Sequence, residues 1–163
     1  LNEVLYTPWR LAYLVGTDSS RNESCIFCGL PAQSDEDALI VHRGTHAYVV
    51  LNRFPYTNGH MMVIPFGHRA SLGEMTVEER SELMELGAAC EAALRAEYHP
   101  HGMNLGLNLG RSAGAGIADH AHLHVVPRWD GDTNFLTVTA GTRTVPEVLS
   151  ASRSRLAARF GTR

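Results

Sequence analysis

Three histidines recur at two-residue spacing in Asp119-His120-Ala121-His122-Leu123-His124-Val125-Val126-Pro127-Arg128. In an extended chain, residues i, i+2 and i+4 share one face. His120, His122 and His124 would then point one way, and Ala121, Leu123 and Val125 the other, into a core. A row of imidazoles is costly to assemble unless phosphate, a metal ion or a proton shuttle uses it; the bland alternative is a His-rich strand that scavenges metal. The run Gly110-Arg111-Ser112-Ala113-Gly114-Ala115-Gly116-Ile117-Ala118 leads directly into the histidines. Its glycines allow backbone amides to approach an oxyanion, as a phosphate cradle requires, although many such runs are only flexible turns. Loop and histidines together point to phosphorus chemistry. A neutral imidazole of the right tautomer is a nucleophile toward phosphorus. His122, in the middle, is best placed for in-line attack if a backbone carbonyl holds its other nitrogen. His124 can donate to non-bridging oxygens as charge develops.

A second group with chemistry in it is Cys25-Ile26-Phe27-Cys28. Such a pair is a redox couple, half of a zinc site or a chance spacing, since tetrahedral zinc needs two further ligands. Cys90 falls on an apolar helical stripe and reads as a small buried hydrophobe. His42, His46, His99 and His101 read as surface or loop histidines.

The elements that must position these groups alternate in type. His46–Leu51 and Met61–Pro65 are strand-like, and Pro55-Tyr56-Thr57-Asn58-Gly59 between them reads as the turn of an antiparallel hairpin. Thr76 and Glu79 form a capping box that opens a helix running to about Tyr98. Leu83, Leu86, Cys90 and Leu94 form its apolar stripe, with Glu78, Glu82, Glu85 and Arg95 on the solvated side. Met103–Leu109 and the three-histidine segment (119–127) are further strands, as is Phe135–Thr139, and Val145–Phe160 is a C-terminal helix. Residues 17–24 and 31–37 read as polar loops. The expectation is a single α+β domain over residues 1–163, an antiparallel sheet with one long helix and a C-terminal helix.

The chain has 163 residues, 44% of them hydrophobic, and a formal charge of −3. That size suits one well-cored domain, and the charge gives no global attraction to nucleic acid. No run of the sequence approaches the ~20 apolar residues of a membrane span. Leu1–Arg10 lacks the order of a signal peptide, and a first residue other than Met leaves room for further native residues before it. Three cysteines do not make a disulfide framework, so a reducing cytoplasm is the expected setting.

His120-Ala121-His122-Leu123-His124-Val125-Val126 resembles the signature of the histidine triad (HIT) superfamily. Leu51-Asn52-Arg53-Phe54-Pro55-Tyr56-Thr57-Asn58-Gly59-His60 is similar to the ribose-binding hairpin of its Fhit-like branch. Pro127-Arg128-Trp129-Asp130-Gly131-Asp132-Thr133-Asn134-Phe135 resembles bacterial diadenosine tetraphosphate phosphorylases and hydrolases, and the likeness runs from Trp9-Arg10 to the terminal helix. Read by themselves, Asn52 is a turn-capping side chain and His60 a core histidine. The resemblance implies instead that Asn52 binds the ribose hydroxyls, that His60 supports the triad, and that Asn108 with the following loop (Arg111, Ser112, Gly114, Gly116) meets phosphate. It implies that His122 carries a transient nucleotidyl group, with His124 assisting. It also implies a structural zinc ion (Zn2+) on Cys25, Cys28, His68 and His120 within an N-terminal segment 1–40 and beyond, and a homodimer acting on a small nucleotide. Many hydrolase-type members carry Gln four residues before the first triad histidine, where this chain has Gly116. That departure leaves the acceptor open between water and phosphate, and we expect phosphate. Rival expectations are a nucleoside phosphoramidase and a zinc-braced nucleotide-binding or sensing protein without turnover.

Overall fold

The computed structural model describes residues 25–132 and 146–161. Among these residues five strands form one antiparallel sheet: β1 (Ile40–Arg43), β2 (Ala47–Leu51), β3 (Met61–Pro65), β4 (Gly102–Leu107) and β5 (Leu123–Arg128), in the order β1-β2-β3-β5-β4. β2 and β3 are buried at every position, which is why they read as continuous apolar runs rather than alternating ones. The hairpin between them is the longer Asn52–His60 connection, closed by Asn52 N–H donating to the His60 carbonyl at 2.9 Å. The 17–24 loop, the 135–139 strand and the first residue of the expected terminal helix lie outside the described residues.

Among the described residues four α-helices accompany the sheet: α1 (Ile26–Gly29), α2 (Asp35–Ala38), α3 (Val77–Tyr98) and α4 (Leu149–Phe160). Residues 31–37 are not the expected polar loop. A short 3-10 turn, Leu30–Ala32, and then α2 replace the loop, with Ser34 capping α2 by accepting from Asp37 N–H. β1 had no counterpart in the sequence reading either. It is four residues long and its pairing with β2 slips between Ile40 and His42, so it shows too little period to be seen.

α3 begins at the expected capping box, both halves of which form. Leu83, Leu86, Cys90 and Leu94 are buried against the sheet, and Gly87 allows close approach, since a Cβ there would lie 2.9 Å from Leu123. Glu82 departs from its expected solvated role. It is half-buried and its carboxylate accepts the N–H groups of Thr45, His46 and Ala47, tying the β1–β2 turn to the helix. α4 packs on β1 and α3: Leu156 is fully buried, Phe160 stacks on His42, and Arg155 and Arg159 pair with Glu97 of α3.

Gly59 ends the hairpin loop with φ +77°, and a Cβ there would meet Leu94 at 2.9 Å and Tyr98 at 3.1 Å. Gly59→Ala combines a disfavoured backbone with a clash, so it should destabilise the chain by about 1–3 kcal/mol. Urea unfolding measures this, and a wild-type midpoint would show that the hairpin does not bear on α3.

Candidate active site and metal centre

The three histidines do not share one strand. β5 pairs with β3 from Met61–Val125 to Val63–Leu123, so His124 lies in the sheet while His120 and His122 precede it. This corrects the expected 119–127 strand. Continuing the ladder would bring Pro65 opposite Ala121, and Pro65 has no N–H to give. The connection after β3 takes over: the Arg69 carbonyl accepts Ala121 N–H at 2.7 Å. His120 Nε2 meets the Pro65 carbonyl at 3.0 Å. Ala121, Leu123 and Val125 do enter the core as expected.

Imidazole tautomers follow from the fixed backbone donors and acceptors. The Tyr56 N–H points at His60 Nδ1, 3.1 Å away, with Asn52 Nδ2 at 3.4 Å from the same atom. Nδ1 of His60 is therefore the bare, accepting nitrogen and its proton sits on Nε2. That N–H donates to His124 Nδ1 at 2.9 Å, so a neutral His124 carries its own proton on Nε2. His122 Nδ1 lies 2.9 Å from the His120 carbonyl and must donate to it, leaving Nε2 of His122 with a free lone pair. The rings of His122 and His124 are in edge contact, with centroids 4.8 Å apart. A bare imidazole nitrogen and an imidazole N–H donor thus lie on adjacent rings.

Electrostatics keep these rings neutral. Burial pushes His122 below its ordinary value against the upward pull of its bond to the His120 carbonyl. Burial likewise lowers His124, to about 4, with the neighbouring His122 adding to the effect.

Cys25, Cys28, His68 and His120 converge, with their ligand atoms all within 4.8 Å of one another. Sγ of Cys25 lies 3.4 Å from His120 Nδ1, and Sγ of Cys28 lies 3.3 Å from His68 Nδ1 and 3.6 Å from His120 Nδ1. A tetrahedral ion ~2.3 Å from sulfur and ~2.0 Å from nitrogen holds S···N edges of about 3.5 Å. The quartet has the dimensions of a closed Cys2His2 metal site. His120 also has the right tautomer, because its Nε2–H is taken by Pro65 and Nδ1 is left for a metal.

The remaining expected residues are placed less closely. β4–β5 pairing ends at Leu107–Leu123, so Asn108 and His122 are the next residues outward on the two chains. Gly110 and Gly114 take φ of 82° and 87° on either side of the 3-10 turn Arg111–Ala113. Arg111, Ser112 and Gly114 are exposed and Gly116 half-buried. Among the described residues neither the Arg111 nor the Ser112 side chain makes a hydrogen bond. Two contributors were absent from the sequence reading. Phe27, inside the CxxC, sets its ring edge against both His120 and His122, at 5.6 and 4.9 Å between centroids, and its carbonyl accepts from the buried Tyr48 hydroxyl at 2.7 Å. Tyr56 covers His60 and His124, with centroids 4.6 and 5.9 Å away. An apolar residue between two cysteines was the one available signal for Phe27. Nothing in the sequence marks the backbone roles of Tyr56, Pro65 and Arg69.

With this geometry in place the class is plain: the chain belongs to the HIT domain family, which matches residues 33–131. Among individual relatives, it is 42% identical over 159 residues to a protein of Mycobacterium tuberculosis named AP-4-A phosphorylase, covering 94% of this chain and 82% of that one. Among solved structures, it is similar to a Zn-bound histidine triad family protein from Mycobacterium smegmatis, 28% identical with a TM-score of 0.69, covering 85% of this chain and 94% of that one. A HIT family member from Bacillus subtilis is 31% identical with a TM-score of 0.60, covering 84% and 97% of the two chains.

The folded pKa of His124 lies below the value of about 6.5 for an unfolded histidine, so the unfolded chain takes up the extra proton on acidification. Its contribution to stability is therefore present near neutrality and is lost as pH falls toward the folded value. Between about pH 7 and about pH 4.5 this group should remove on the order of 2 kcal/mol. Urea midpoints followed across that window should decline less steeply in His124→Gln; identical slopes would mean that this imidazole is not held neutral.

Proposed function

We propose that this chain cleaves dinucleoside polyphosphates such as diadenosine tetraphosphate by nucleotidyl transfer through His122. The observation that carries the reading is the His122 Nδ1 bond to the His120 carbonyl, which leaves Nε2 bare beside the donor His124. The similarity to a protein named AP-4-A phosphorylase supports the substrate class. Nε2 of His122 forms a bond to the α-phosphorus while the bond to the bridging oxygen breaks and ATP leaves. His124 Nε2–H stabilises the oxygen on which charge develops. The adenylyl group then passes to an acceptor and His122 is restored. With phosphate as acceptor the products are ADP and ATP; with water they are AMP and ATP.

Phosphate is the acceptor this reading favours. Gly116 offers no side chain to hold a water, and the loop it belongs to offers backbone amides, Ser112 and Arg111 to an anion. Asn52, half-buried beside His60, serves the ribose hydroxyls, and Asn108 serves phosphate. Zinc is the metal that suits the Cys2His2 quartet, and with no open position it braces the fold rather than reacting. We further propose a homodimer, supported by β4, an edge strand whose Leu105 is exposed. No described helix is long and apolar enough to cross a membrane. A reducing cytoplasm is the setting this reading favours, supported by three free cysteines.

Product analysis with and without millimolar phosphate tests the activity. Phosphate should accelerate consumption of diadenosine tetraphosphate and yield ADP plus ATP, whereas AMP plus ATP at every phosphate concentration would make the chain a hydrolase. His122→Gly should lose turnover by at least about a thousandfold while still binding nucleotide; near-wild-type turnover removes His122 as nucleophile. Faster turnover of an adenosine phosphoramidate than of the dinucleotide would favour the phosphoramidase alternative.

The metal has its own measurement. Elemental analysis should find one zinc per chain, and Cys28→Ser should lower the melting temperature more than it lowers the rate per folded molecule. A purified, folded chain without metal would overturn the assignment.

A further inference from the structure

The nucleotide hairpin rests on a polar hub outside the histidine site. Its Gly59 leaves no room for a side chain against Tyr98 at the end of α3, where an added Cβ would fall 3.1 Å from the ring. The Tyr98 hydroxyl donates to Oε2 of Glu147 at 2.6 Å. The same oxygen accepts from Ser152 Oγ of α4 at 2.8 Å and from Asn58 Nδ2 of the hairpin at 3.4 Å. Oε1 takes the Arg155 guanidinium at 2.8 Å. One carboxylate, 17% exposed, thus collects donors from the hairpin, the long helix and the terminal helix. Burial pushes this carboxyl upward, but the donors from Tyr98, Ser152, Arg155 and Asn58 outweigh it and hold it at about 2.

Asn58 shows that the hairpin bond matters. Its Oδ1 is buried without a partner among the described residues, a cost that an apolar side chain would avoid. Turning the amide over would set that oxygen against the Glu147 carboxylate, so Glu147 dictates which way Asn58 points. Two residues further on is His60, fully buried, whose Nε2–H is given to His124. A glutamine in place of Glu147 would offer one acceptor oxygen to four donors and aim its own N–H groups at some of them.

We propose that Glu147 is a positioning residue: through Asn58 and Tyr98 it sets the hairpin that carries Asn52 and His60, and through His60 it orients His124. The nucleotide arm of this inference rests on the function proposed above; the orientation of His124 does not.

Two readouts on the full chain test it. Proton NMR follows the imidazole proton shared between His60 Nε2 and His124 Nδ1, and calorimetry gives the Kd for AMP. In both Glu147→Gln and Asn58→Ala the shared proton should shift or broaden, and AMP should bind about fivefold more weakly. The double variant should be no weaker than either single one, because both remove the same link. Arg159→Ala removes the ion pair that ties α4 to Glu97 and touches neither Glu147 nor the hairpin bonds; it should lower Tm and change neither readout. An unchanged imidazole proton in both single variants overturns the proposal, as does an equal change in Arg159→Ala. Additive losses of AMP affinity would also overturn it. A wild-type chain that binds no AMP, but whose shared proton responds to Glu147→Gln, leaves the positioning role standing and removes the nucleotide reading.

Discussion

His120 is held from three directions at once, and the site is organised around that constraint. Its Nε2–H is given to the Pro65 carbonyl, its Nδ1 faces the sulfurs of Cys25 and Cys28, and its own carbonyl accepts from His122 Nδ1. Rotating the ring to satisfy one partner would abandon another. The carbonyl that determines which nitrogen of His122 is bare is therefore as rigid as the quartet beside it. Phe27 adds an apolar wedge between the two centres, touching both rings. The Cys2His2 quartet and His122 share one backbone.

A second chain of bonds approaches from the opposite side. The Tyr56 amide fixes His60, and His60 fixes His124. Both chains begin in backbone groups, which cannot change protonation, and end at a side-chain nitrogen whose state is thereby decided. Burial supports the same result by disfavouring imidazolium on His122 and His124. Two neutral rings with opposite nitrogens protonated, in edge contact, suit attack and donation at one phosphorus centre.

Much of this was legible in the sequence because the informative residues are few and their spacing is rigid. The capping box at Thr76 and Glu79 and the two apolar runs around the hairpin each express a local rule, and the alternation of the histidine segment forms strand only from Leu123 onward. The Cys2His2 convergence came from family resemblance, since CxxC alone left redox and chance readings open, and the geometry brings the same four residues together. What escaped was tertiary. β1 is short and irregular, α2 is nucleated by Ser34 within a polar stretch, and Glu82 looks solvated until the β1–β2 turn presents three amides to it. The departure of His120 and His122 from β5 depends on Pro65, a residue far away in sequence whose missing N–H matters only once the strands pair.

The quartet also bears on the order in which the chain folds. Cys25 and His120 are 95 positions apart, and Cys28 and His68 are 40 apart. An unfolded chain brings only the two cysteines near each other, and closing the longer loops carries an entropy cost that local contacts cannot offset. His120 reaches its place only after β5 has docked on β3, because Pro65 and Arg69 hold the segment there. Full coordination of a metal by these four residues would thus come late, in a chain whose sheet is already closed. A metal held in this way would trap the completed topology: its release would precede unfolding, and its capture would mark the end of folding.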